Sequence, residues 1–119
     1  MARRQKYVGA LQEPDAFAMI AEERGRPVGY ALVTLGEGSC GWETGRRVAD
    51  VETLSVLPDA RGRGIGTRLM DAVEEQLAGL GVRELRLLVI APNADALDFY
   101  GARGMTTVSH VLMGQVDHA

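Results

Sequence analysis

One stretch constrains this chain more than any other. Residues 61–67 read Arg-Gly-Arg-Gly-Ile-Gly-Thr, between an apolar run and an amphipathic one. Three alternate glycines weaken any regular element that contains them, so they mark a turn. Upstream, residues 48–57 read as a strand closed by Pro58-Asp59. Downstream, Ile65, Leu69, Ala72, Val73, Leu77 and Leu80 share one helical face over 65–80, and Arg68, Asp71, Glu74 and Glu75 lie opposite. The first turn of such a helix has unpaired N–H groups and the positive end of the helix dipole. Glycines clear Cβ atoms from those groups, and Arg61 and Arg63 add mobile positive charge at the rim. The stretch predicts a cradle for a phosphate or pyrophosphate.

The flanking segments predict a mixed sheet. Residues 16–23 alternate as a strand, with Phe17, Met19 and Ala21 on one face and Ala18 and Ile20 on the other. Arg24-Gly25 is a turn, and 27–35 is a second strand that forms a hairpin with the first. Gly29 within it implies a bend or a close backbone approach. Residues 36–45 form a glycine-rich loop holding Cys40, Trp42 and Glu43. The helix over 65–80 is a crossover, so the strand before it and a buried strand over 82–90 run parallel. Asn93 caps a short helix carrying Ala96, Phe99 and Tyr100, Gly104 stops it, and 105–116 reads as a last strand. At the other end, Tyr7, Val8 and Leu11 fit one helical face, which predicts a short helix within 1–13.

Composition narrows the function classes. A chain of 119 residues is expected to form one domain over 1–119. Thirteen Lys+Arg against sixteen Asp+Glu give a net charge of -3, which offers no drive toward nucleic acid. A single cysteine excludes an internal disulfide framework and a Cys-rich zinc module. No apolar run approaches the ~20 residues of a membrane span. A cytoplasmic protein with no metal and no membrane partner is expected. His110 and His118 are expected to be structural or solvated.

The glycine turn fits neither common nucleotide pattern. A P-loop requires Gly-Lys-Ser/Thr, and Gly66 is followed directly by Thr67. The dinucleotide pattern Gly-x-Gly-x-x-Gly places its third glycine one residue later than this chain does. The residues instead resemble the GNAT superfamily of N-acetyltransferases, whose signature is Gln/Arg-x-x-Gly-x-Gly/Ala at a strand-to-helix junction. Arg61-Gly62-Arg63-Gly64-Ile65-Gly66 fits every fixed position. A second block, Asn93, Ala96, Tyr100, Gly104 and Met105, is similar to the family's Asn-x-x-Ala-x-x-x-Tyr followed by Gly-Phe, with Met105 in place of phenylalanine. The strand over 51–58 and Pro27-Val28-Gly29-Tyr30 also have the family's look.

The resemblance implies an α/β (α+β) GNAT fold, a mixed, mostly antiparallel twisted sheet with a parallel splayed strand pair and flanking helices. Acetyl-CoA is the implied co-substrate. Its pyrophosphate would rest on Gly62, Arg63, Gly64, Ile65, Gly66 and Thr67, with Arg61 beside them. Its pantetheine would run along Leu54, Ser55 and Val56, with Asn93 as a further contact or only a helix cap. Tyr100 stands at the family position of the general acid for the thiolate, and Glu52 is the candidate base, acting through a water. The amine to be acetylated must be neutral, the thioester carbonyl needs a donor for its developing charge, and the thiolate needs a proton.

An acetyl-CoA-dependent N-acetyltransferase acting on a primary amine, small or peptidic, is therefore the expected function. The alternative is a non-catalytic acyl-CoA-binding module on the same fold. Against the family's usual length, the N-terminal strand and helix are expected to be absent. That would leave the edge of 16–23 bare, and a homodimer is the expected cover.

Overall fold

The computed structural model describes residues 5–13, 15–37, 47–89 and 93–116, with the backbone alone for 5–13 and 37. Arg24 and Gly25 take φ of 53° and 79°. Both central positions of this two-residue turn are thus left-handed, the geometry that matches the twist of the flanking strands. The turn joins Ala16–Glu23 to Arg26–Glu37, and Glu23 pairs with Arg26 across it. With Gln5–Glu13 (β1) preceding them, these strands are β2 and β3. Arg47–Val56 is β4 and Glu84–Arg86 is β5. The sheet order is β1-β2-β3-β4-β5. All neighbours are antiparallel except β4 and β5, which run parallel across the crossover helix Ile65–Gly79 (α1). The chain divides into two compact units, Met1–Leu88 and Val89–Ala119.

The first strand corrects the expected helix and the expected missing edge. Residues Gln5–Glu13 form β1 and pair with β2 from Gln5↔Glu23 to Glu13↔Ala16, with a bulge between Gly9 and Gln12. The spacing of Tyr7, Val8 and Leu11 suits a helix, but a neighbouring strand with open N–H and C=O groups outweighs a three-residue pattern. The edge of β2 on which the expectation of a second chain rested is covered by β1.

The core of the first unit lies between the sheet and α1, which packs on β2, β3 and β4. Ile65, Leu69, Met70, Val73 and Leu77 are buried on one side of α1. Opposite elements contribute Ala21, Val28, Ala31, Val33 and Ala49. Each large side chain withdrawn from water contributes about 1.5–3 kcal/mol. The buried stripe differs from the expected one at its margins. Met70 joins it, Ala72 is only half-buried, and Leu80 lies beyond the helix and is exposed. Gly81, at φ 76°, ends the helix with a reversal that returns the chain to β5.

Two expected strands are shorter or absent. Among the described residues of the run over 82–90, only Glu84–Arg86 (β5) is strand, its three residues are half-buried, and Leu88 is exposed. In the second unit, residues 105–116 carry no strand, and Val108, Val111, Leu112, Met113 and Val116 are exposed. Their apolar positions do not alternate, and a strand exists only through its ladder. The short helix is present as Ala94–Ala102 (α2), capped by Asn93. No helix among the described residues is long and apolar enough to cross a membrane.

Gly29 sits where β3, β4 and α1 meet. A Cβ there would lie 2.8 Å from the Ser55 carbonyl oxygen and 3.2 Å from Leu69 Cδ1. The expected close backbone approach is present, and it also coincides with a bulge, since Ala21 pairs with Gly29 and Glu22 with Pro27. Gly29→Ala is expected to destabilise the fold by about 1–3 kcal/mol, because a ladder carbonyl cannot yield cheaply. Urea unfolding measures this, and a variant as stable as the parent would refute the packing described.

Candidate functional site

The cradle begins where β4 ends. Pro58–Ala60 form a single 3-10 turn, and the Arg61 N–H donates to the Pro58 carbonyl at 3.4 Å. Gly62 and Gly64 then take φ of 78° and 80°. L side chains rarely adopt this region, so the fold demands glycine at both positions. A Cβ at either would meet no protein atom within 4 Å, so the space around them is open. Gly64 is the N-cap of α1, and its carbonyl accepts the first helical bond from the Arg68 N–H at 3.0 Å. A glycine cap has no side chain to cover the opening N–H groups of Ile65, Gly66 and Thr67, and no acidic residue stands in the first turn. These features fit an anion.

The two arginines behave differently from expectation. Arg61 Nε donates to the Val56 carbonyl at 3.0 Å, tying the loop back to the end of β4. Arg63 Nη2 lies 3.0 Å from Glu23 Oε1 at the end of β2. Their charge is therefore held in place rather than mobile. Sequence alone missed this because Glu23 is forty residues upstream and reaches the loop only through the sheet order.

The strand that leads into the cradle is open on one side. The parallel ladder of β4 with β5 runs only from Val48↔Glu84 to Asp50↔Arg86. It is reinforced by the ion pair of Arg86 with Asp50, Nε to Oδ1 at 2.5 Å. Beyond it, residues 51–56 stay paired with β3 and have no ladder to β5 among the described residues. Leu54, Ser55 and Val56 lie on this stretch, half-buried. An unpaired strand side presents backbone groups to an extended ligand.

Glu52 lies at a bulge. Leu32 pairs with Thr53 and Val33 with Val51, which leaves Glu52 as the extra residue on β4. A bulge re-aims its side chain, so the strict alternation that would align Glu52 with Leu54 and Val56 is interrupted. Glu52 is exposed, and the Thr34 hydroxyl donates to its Oε2 at 2.7 Å. Thr34 carried no motif in the sequence. Its partnership with Glu52 follows from register across β3 and β4, which a bulge hides from periodicity.

The second unit holds Asn93 and Tyr100. Asn93 Oδ1 accepts from the Ala96 N–H at 3.1 Å, so its side chain acts as the helix cap. Tyr100 is half-buried and meets Phe99 edge to face, with centroids 5.0 Å apart. Burial pushes the Tyr100 phenol above its ordinary value, and the charge of Arg103 partly opposes this. The Tyr100 carbonyl accepts from the N–H groups of Arg103 and Met105, and Gly104 at φ 90° makes the reversal. His110 is exposed. Cys40, Trp42, Glu43 and His118 lie outside the described residues. Among the described residues no cluster of three or more His, Cys, Asp or Glu is arranged to hold a metal.

Comparison with known proteins gives the family. Residues 2–105 match the model of the acetyltransferase (GNAT) family. The chain is 37% identical over 94 residues to a mycothiol acetyltransferase of Amycolatopsis mediterranei, covering 79% of this chain and 31% of that protein. It is 34% identical over 96 residues to an uncharacterized N-acetyltransferase of Methanocaldococcus jannaschii, covering 78% and 40%. It is 35% identical over 89 residues to a thialysine N-epsilon-acetyltransferase of Bos taurus, covering 73% and 52%. The chain thus spans about a third to a half of the length of these relatives. Among solved structures, an aminoglycoside N-acetyltransferase AAC(6')-Iy in complex with CoA superimposes with a TM-score of 0.78, 23% identity and coverage of 91% of this chain and 81% of that one. At that identity the likeness speaks for the fold. By the family match over most of its length, this chain is a member of the acetyltransferase (GNAT) family.

Proposed function

We propose that this chain transfers an acetyl group from acetyl-CoA directly to a primary amine. The observation that carries this is the N-terminus of α1, without a side-chain cap and opened by left-handed Gly62 and Gly64, after a strand whose residues 51–56 have no ladder to β5 among the described residues. In the proposed arrangement the N–H groups of residues 62–67 hold the pyrophosphate. The free side of Leu54, Ser55 and Val56 accepts the pantetheine amides. Acetyl-CoA supplies an activated acyl group, and the chain positions it and moves the protons.

Glu52 takes the proton from the incoming amine through a water, and Thr34 fixes the carboxylate by donating to Oε2. A backbone N–H near Leu54 to Val56 stabilises charge on the carbonyl oxygen. By its position in the family's second motif, Tyr100 is assigned the donation of a phenolic proton to the departing thiolate. A phenol raised by burial stays protonated through neutral pH, the state a general acid requires. The alkaline limb set by Tyr100 therefore falls above the ordinary tyrosine value of ~10. The exposed Glu52 and the net charge of -3 favour a cationic acceptor, such as a polyamine, an amino sugar or an amino-acid side chain, and a peptide N-terminal amine satisfies the same chemistry. Two of the relatives are named a mycothiol acetyltransferase and a thialysine N-epsilon-acetyltransferase, and the second name specifies acetylation at an amine.

A screen of amines with acetyl-CoA, read by release of free thiol, tests the proposal. Acetyl-CoA binding without thiol release on any amine would favour an acyl-CoA-binding module. ATP or NAD outcompeting CoA would overturn the ligand class. Tyr100→Phe is expected to lower kcat by about 10²–10⁴-fold while acetyl-CoA affinity stays nearly unchanged. Unaltered turnover removes Tyr100 from the mechanism. Glu52→Gln is expected to lower kcat by about 10²–10⁴-fold, and Thr34→Val by about 10-fold through loss of one hydrogen bond to a charged group. A fully active Glu52→Gln or Thr34→Val counts against the proposed base.

A further inference from the structure

The turn between β2 and β3 reaches the glycine loop with both of its end residues. Glu23 and Arg26 are paired across the hairpin. Arg26 Nη2 donates to both carboxylate oxygens of Asp59, at 2.9 and 3.0 Å. Arg63 Nη2 lies 3.0 Å from Glu23 Oε1. Asp59 and Arg63 stand on either side of Gly62, so the loop is clasped before and after its first left-handed glycine.

The two clasps are unequal. Arg26 and Asp59 are both largely exposed, with 55% and 67% of their side chains open to water, and pairs of that kind hold weakly. Glu23 is 8% exposed, the charged group most withdrawn from water among the described residues. A carboxylate so placed is stable only when a cation and hydrogen bonds compensate it. Arg63 keeps 48% of its side chain open to water while its Nη2 reaches the buried Glu23 carboxylate. Its own backbone lies between Gly62 and Gly64, the two residues with the greatest freedom to swing. Fixing Arg63 fixes the peptide planes on both sides of it, and a cradle of N–H groups binds well only when its orientation is set in advance.

We propose that Glu23 is a positioning residue for the anion cradle, acting through Arg63, and that Arg63 serves chiefly to anchor the loop. This rests on the reading that residues 62–67 receive the pyrophosphate of CoA. Glu23 touches no ligand in that arrangement. Its contribution is the geometry of the N–H groups on the far side of Arg63.

Two measurements on the full chain test this. In the ligand-free protein, amide hydrogen exchange over residues 58–67 is expected to be about 3- to 10-fold faster in Glu23→Gln than in the parent, with exchange over the middle of α1 unchanged. With CoA itself as the probe, Glu23→Gln and Arg63→Met are each expected to weaken binding by about 5- to 20-fold, and the double variant no more than the worse single one. Arg63→Met takes the Arg63 cation from the buried Glu23 carboxylate, so should that variant fail to fold, Glu23→Gln and the double variant, which carry no charge at position 23, decide the test. Unchanged exchange in the loop, or single effects that multiply in the double variant, would overturn the role of Glu23. Tight CoA binding by the parent and equally tight binding by Glu23→Gln would overturn the inference alone. A parent protein that does not bind CoA would overturn the cradle and the positioning role together.

Discussion

The reversal at Gly62 and Gly64 is the constraint on which the rest of the structure depends. Both residues hold φ near 80°, a conformation that costs an L side chain about 1–2 kcal/mol. The reversal turns the chain from the end of β4 into α1 within a few residues. It brings the apolar stripe of α1 down on β2, β3 and β4, and it leaves the helix opening without a side-chain cap. One local conformation thus serves the core and the site together. A residue able to cap the helix would satisfy the same N–H groups that an anion would occupy.

The sheet is equally economical in where it stops pairing. The parallel ladder ends at Asp50↔Arg86, close to the partly buried ion pair of those two residues. One strand interval later the bulge at Glu52 breaks the regular pairing with β3. Regular pairing on both sides would have spent every backbone group of β4 within the sheet. The interruption leaves one side of residues 51–56 without a ladder to β5 among the described residues, and Glu52 lies exposed beside the hydroxyl of Thr34.

The elements most legible in the sequence were those with a strong local cause. Ile65, Leu69, Val73 and Leu77 recur at helical spacing and are buried on α1. Arg24-Gly25 makes a tight turn, Asn93 caps α2, and Gly29 meets the Ser55 carbonyl. Each depends on a few neighbouring residues or on a property of glycine. The elements misread were those decided by distant partners. Residues Gln5–Glu13 became a strand because β2 offers them a ladder. Residues 105–116 are without a strand for the opposite reason, since no ladder forms along them among the described residues.

The sequence by itself determined the glycine-rich junction, its amphipathic helix and the family to which both belong, because each follows from residue type at short spacing. Only the tertiary structure decided what holds that junction and what faces it. Glu23 meets Arg63 across forty residues, and Thr34 meets Glu52 across eighteen, through strand order and a bulge. Neither pairing has a local signature. Strand order brings together residues far apart in the chain, and one extra residue in a ladder changes which side chains meet.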